Sequence, residues 1–134
     1  MSGPNLYAFL TSVPEVAALA GERVFPDRIP QKVWATVARM PCVVFNLVSQ
    51  SRSATYCETD RIVSAVYQLD HYAPEFDTAD QLAEATRVAL RDFVGLMGDT
   101  SVRLTRLESG RNMIEPEPGL FRASRDWRFW YIEP

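Results

Sequence analysis

A chain of 134 residues with 47% hydrophobic and 23% charged residues suits one folded domain and is too apolar for wholesale disorder. Its net charge of −3, with arginine at every basic position except Lys32, offers no concentrated positive surface of the kind that grips nucleic acid non-specifically. No apolar run approaches the ~20 residues of a bilayer-spanning helix, and no signal-peptide pattern opens the chain, so no membrane segment and synthesis in the cytoplasm are expected.

The first expected element is a helix over about residues 5–20, broken near Pro14. Leu6, Phe9, Leu10 and Val13 recur at helical spacing. Ser12 is placed to cap the second piece, with Pro14 in its first turn and Glu15 as the capping-box partner, and Gly21 closes it. Residues 24–30 form a short extended piece punctuated by Pro26 and Pro30, and residues 31–40, with Trp34, read as loop or a single turn. After Pro41 the β-branched run 42–48 is apolar on both faces, as in the middle of a sheet.

Residues 49–59 are rich in Ser, Thr and charge, which fits a hairpin connection or the lower part of two long arms. Residues 61–72 alternate: Val63, Ala65, Tyr67, Leu69 and His71 point one way, and Ser64, Gln68 and Asp70 the other. Thr78 and Gln81 form a second capping box, and the helix they open carries the stripe Leu82, Thr86, Ala89, Phe93 and Met97 as far as Gly98. Asp80 and Glu84 sit early, Arg87 and Arg91 later, as the helix dipole prefers.

Residues 102–107 read as a strand, and 108–119, with Pro116, Pro118 and Gly119, as a loop or splayed hairpin. Residues 120–132 form the last strand, with Phe121, Ala123, Trp127, Phe129 and Tyr131 on one face and Arg122, Ser124, Asp126 and Arg128 on the other. This order predicts a single α+β domain over 1–134, a mainly antiparallel β-sheet with two helices packed on one face.

Little in the chain points to catalysis. His71 is the lone histidine and shares an apolar strand face, the setting of a packed or interface residue. There is no nucleophile elbow and no glycine-rich phosphate loop. Cys42 and Cys57 lack zinc spacing and read as small buried hydrophobes. Asp77 with Asp80 is explained by a helix start, and Glu115 with Glu117 by a solvated loop that converges too few oxygens for a hard cation. No catalytic, metal or cofactor residue is therefore assigned. In the tail Trp127-Arg128-Phe129-Trp130-Tyr131, alternation sends Trp130 outward beside Arg128, a pair typical of a protein interface rather than of single-stranded nucleic acid binding. A small ligand-binding domain is the competing reading, with His71, Tyr67 and Cys57 as its polar groups.

Several segments in order resemble the small tail completion or terminator proteins of long-tailed phages, prophages and gene transfer agents. They are Leu6-Tyr7-Ala8-Phe9-Leu10, Val13-Pro14-Glu15-Val16, Arg23-Val24-Phe25-Pro26-Asp27-Arg28-Ile29-Pro30-Gln31 and Met40-Pro41-Cys42-Val43-Val44-Phe45. Val66-Tyr67-Gln68-Leu69-Asp70-His71-Tyr72-Ala73, Thr78-Ala79-Asp80-Gln81-Leu82-Ala83 and Leu120-Phe121-Arg122-Ala123 continue the series. Residues 31–39 and the acidic loop 111–119 depart from the family pattern.

The resemblance implies a non-enzymatic structural subunit of the virion tail, made in the host cytoplasm. It would assemble with itself as a ring, expected to be hexameric, at the head-proximal end of the tail tube. Its partners would be the tail tube protein and a head–tail connector or neck protein, with DNA only passing through the lumen and no cofactor or membrane. Another neck or head-completion ring protein is the nearest alternative. The residues expected at a subunit or tube interface are Arg52, Tyr56 and Arg61 on one arm, Arg111, Glu115 and Glu117 on the other, and Arg128 with Trp130 on the outer sheet face.

Overall fold

In the computed structural model, which describes residues 3–29, 41–52, 62–115 and 120–133, the chain opens with two short helices, α1 (Leu6–Ser12) and α2 (Pro14–Ala20). Proline has no N–H to donate, so it ends one helix and is tolerated in the first turn of the next. The cap between them is Val13, not Ser12. The Ser12 hydroxyl donates to the Phe9 carbonyl inside α1, so it cannot serve α2, which starts without a side-chain cap. Asn5 caps α1 by accepting from the Ala8 N–H. Gly21, at φ 58°, closes α2 with its N–H on the Ala17 carbonyl.

Strand β1 (Val24–Pro26) follows, then β2 (Cys42–Arg52) and β3 (Ile62–Ala73), helix α3 (Phe76–Leu90), and strands β4 (Gly95–Met97), β5 (Thr100–Glu115) and β6 (Leu120–Ile132). All six strands form one sheet in the order β1-β2-β3-β6-β5-β4. The expected α+β class holds, with two corrections. Among the described residues there are three helices, because Pro14 separates α1 from α2 as full elements. The sheet is mixed, because β1 runs parallel to β2 while the other pairings are antiparallel.

Alternation on β3 and β6 builds the core. Val63, Ala65, Tyr67 and Leu69 of β3 and Trp127, Phe129 and Tyr131 of β6 meet Leu6, Leu10, Val16, Leu82 and Leu90 from the helices. Each such apolar side chain removed from water contributes about 1.5–3 kcal/mol. The stripe of α3 is Ala79, Leu82, Ala83, Thr86 and Leu90. Its expected continuation through Phe93 and Met97 is corrected: the helix ends at Leu90, and Asp92 at φ 53° turns the chain. Met97 lies in β4, and Gly98 belongs to the β4–β5 turn, so it is not the helix stop. The expected Thr78 cap is corrected too. Past Pro74 the chain enters the helix three residues early, with Glu75 as N-cap, leaving Thr78 inside the first turn.

The other face of the sheet is not uniformly open. At one end Ile29, Cys42, Val44 and Leu120 form a second buried cluster flanked by Phe25 and Tyr72. Asp70, expected on a solvated face, is for this reason 2% exposed. Its carboxylate accepts from Gln68 Nε2 and, at 3.0 Å, from Arg122 Nη2. Residues 31–40 with Trp34 lie outside the described residues.

Strand β5 is much longer than expected. Its hairpin with β6 stays paired to Glu115 opposite Leu120, so residues 108–115 are strand and only 116–119 of the expected loop lie outside the described residues. Likewise β2 continues to Arg52 opposite Val63. The arms foreseen around residues 49–59 and 108–119 are in large part extensions of the sheet itself.

Candidate functional site

The outer sheet face, opposite the helices, gathers charged and aromatic side chains around β6. Trp130 stands on it opposite Leu104 of β5 and Ser64 of β3. The guanidinium carbons of Arg106 and Arg128 lie 5.1 and 5.8 Å from the Trp130 ring centre, two cations on one aromatic ring. Both arginines also donate to Glu108: Arg106 Nε at 2.8 Å and Arg128 Nε at 2.7 Å. A further Arg128 nitrogen donates to Ser64 Oγ at 2.7 Å. The Arg128 and Arg106 donors hold the Glu108 carboxyl below its ordinary pKa, so it stays charged and anchors both cations. The result is a planar, amphipathic patch whose side chains are already held in place, the pre-organisation that makes a Trp–Arg surface a good protein contact.

Of the expected interface residues, Arg128 and Trp130 are brought together here. Arg52 lies at the end of β2, where it makes a two-pronged ion pair with Glu133 at 2.6 and 2.8 Å. Arg111 lies down the β5 arm, exposed, beside a shallow polar cleft of about 270 Å³ with Ser109, Gly110, Ser124 and Asp126. Glu115 ends β5, paired through its backbone to Leu120. Tyr56, Arg61 and Glu117 lie outside the described residues. Glu108 was missed because 108 onward read as loop, and Arg106, although in the expected strand 102–107, was not paired with Trp130. Their signal is hidden by two register irregularities, at Val102/Leu104 and Leu107/Ser109, that break the period of two along β5.

The polar groups of the ligand-pocket reading do not converge among the described residues. His71 is enclosed between α3 and β6, with Nδ1 2.9 Å from the Ala123 carbonyl and Nε2 3.1 Å from Thr86 Oγ1. Tyr67 instead lines an open cleft of about 390 Å³ with Gly3, Pro4, Asn5, Pro26, Asp27, Phe45 and Leu47. Cys57 is outside the described residues. Cys42 is buried, and burial pushes its thiol up to about 12, against the pull of Arg23, so it acts as a small hydrophobe. Among the described residues, no three His, Cys, Asp or Glu side chains gather as they would around a metal ion.

The family model described as Tail completion protein gp17 matches residues 4–132. A chain in the solved virion of a native gene transfer agent (GTA) particle has a similar fold, with a TM-score of 0.68 and 16% identity, covering 93% of this chain and 90% of that one. No curated protein matches the chain.

Proposed function

The chain belongs to the tail completion protein family, and on that premise we propose that it is the subunit of a ring that caps the head-proximal end of a virion tail tube, stops tube polymerisation and presents the surface to which the head joins. As a family member it is a structural component of the virion tail. The observation that carries the reading is the match over residues 4–132, nearly the whole fold. The fold shared with a chain of a gene transfer agent particle supports it. So does the outer face, where Trp130 clamped by Arg106 and Arg128 suits protein contact and offers no reacting group.

The ring is expected to be hexameric, its partners the tube protein and a connector or neck protein, with DNA passing only through the lumen. It needs no cofactor and catalyses no reaction. The interface assignment to Arg52, Tyr56, Arg61, Arg111, Glu115, Glu117, Arg128 and Trp130 belongs to this proposal. Deletion of the gene from its parent element, followed by electron microscopy of the particles, tests it. Overlong headless tails beside filled tailless heads establish the terminator role. Tubes of normal length that fail to join move the function to a neck or head-completion ring. Normal particles overturn the tail-assembly reading.

A further inference from the structure

Among the described residues, the sheet is capped at neither side along its whole length. On one side β1 covers β2 only from Val43 to Phe45. The Asp27 N–H makes the last bond, to the Phe45 carbonyl, and Asp27 then turns away at φ 66°, a conformation that L-residues adopt reluctantly. On the other side β4 covers β5 only from Thr100 to Val102. Among the described residues nothing pairs with the outer edge of β2 past Phe45 or with that of β5 past Val102.

The two open edges lie at the same height. Register runs straight across the sheet from Leu47 to Tyr67, from Tyr67 to Trp127 and from Trp127 to Leu107. The two inner members of that row are buried, and each end is a leucine 40% exposed. The next row runs Gln50, Ala65, Phe129, Thr105. A buried apolar row that stops at an exposed leucine on both open edges has the form of one repeat of a longer row.

Direction agrees. Antiparallel pairing of β2 with β3, β3 with β6 and β6 with β5 leaves β2 and β5 running oppositely. Rotation about an axis along the strands therefore brings β5 of one copy antiparallel to β2 of the next, with both helix layers on the same side. Irregularities at Val102/Leu104 and Leu107/Ser109 limit the regular edge of β5 to residues 104–107, which restricts such pairing to a short stretch and fixes its register.

We propose that the occupant of each edge is a second copy of this chain. Residues 104–107 of one subunit add antiparallel to residues 47–52 of its neighbour and bring Leu107 against that neighbour's Leu47, so the ring is closed by strand addition. The contact is heterologous, one edge meeting a different edge, which is what a ring requires. This rests on the reading of the chain as a ring subunit.

The test uses the full chain with Leu47→Lys and Leu107→Lys, examined by sedimentation velocity and native mass spectrometry. Val88→Lys, at an exposed position on α3, is the control. Circular dichroism checks that each variant is folded. If a lysine unfolds the chain, Leu47→Ser and Leu107→Ser replace it. The wild type and Val88→Lys assemble. Each leucine variant shifts to monomer, with the half-assembly concentration raised at least about tenfold. An equimolar mixture of the two gives a dimer and nothing larger, because the intact β5 edge of one can meet only the intact β2 edge of the other. Wild-type assembly by either leucine variant, or larger oligomers from the mixture, overturns strand addition and leaves the ring reading standing. A wild-type chain that stays monomeric overturns the ring reading itself.

Discussion

His71 places an ionisable ring at the seam between α3 and β6, completely buried. The Ala123 carbonyl can only accept, so Nδ1 carries the proton, and Nε2 competes with the Leu82 carbonyl for the single hydrogen of the Thr86 hydroxyl. An imidazolium would settle that competition, since Nε2 would then donate to Thr86 and leave its hydrogen for Leu82. Desolvation nevertheless outweighs it. Burial lowers the pKa to about 4, with the bond to Ala123 pulling the other way, Arg125 lowering it further and Asp70 raising it. The unfolded chain takes up a proton near pH 6.5 and the folded chain does not until about pH 4, so stability is full above 6.5 and falls as the pH drops. Between about pH 7 and pH 5 the loss should be about 2 kcal/mol, read from urea unfolding. His71→Asn should flatten that interval, in which ordinary carboxylates stay ionised, and an unchanged slope in the variant would assign the pH dependence elsewhere. The position of His71 on the apolar face was legible from the alternation of β3. Its partners were not, because Thr86 and Ala123 come from elements whose approach only the folded chain defines.

At the scale of elements, the β5–β6 arm depends on a glycine for its position. Gly110 faces Arg125 across the hairpin, and a Cβ there would sit 2.6 Å from Arg125 Cδ and 3.1 Å from its Nε. Those are mid-chain atoms that cannot swing aside alone. Arg125 lies over the arm to reach the Arg111 carbonyl at 3.2 Å, Asn112 Oδ1 at 3.1 Å and, more loosely, Asp80 of α3 at 4.0 Å. Gly110→Ala should displace the arginine and destabilise the chain by about 1–2 kcal/mol in denaturant unfolding. The same substitution in an Arg125→Ala background should cost almost nothing; equal costs in both backgrounds would remove the steric account. Sequence reading found β6 to the residue, since Phe121, Ala123, Trp127, Phe129 and Tyr131 on one face leave one register. It stopped β5 eight residues short, because a bulge puts Val102 and Leu104, two residues apart, on opposite faces and a second follows Leu107, which hides the period. Both capping boxes, at Ser12 and Thr78, fitted a local pattern that the chain does not use, and the three residues of β1 hold nothing that tells parallel from antiparallel pairing.

For the whole molecule, the arrangement separates two kinds of surface. The open edges lie at the two sides of the sheet, whereas Trp130 with Arg106, Arg128 and Glu108 sits on the outer face over β5 and β6. Half of that cluster was legible as the outward Trp–Arg pair; Arg106 lay in an expected strand without a visible partner, and Glu108 in a stretch that read as loop. If edges join like copies, the outer face is left for an unlike partner, and the two roles can be broken independently. Trp130→Ala removes the ring on which both guanidinium groups rest but spares the backbone edges and the core face of β6, so the purified chain should fold and self-associate as the wild type does. Truncating a central aromatic anchor typically weakens a protein contact by about 2 kcal/mol or more, which is a fall of about thirtyfold in affinity. In particles, this should appear as tubes of normal length with rings in place and few heads attached, counted by electron microscopy beside the transfer or infection titre. Loss of self-association in the purified variant would instead put the cluster between copies, and would move the contact within the ring from the strand edges to the face of the sheet. A variant normal in both assays would make Trp130 a surface residue braced by its own arginines, and the joining surface would then have to be sought on the helix side, where Phe76 and Val88 are also exposed.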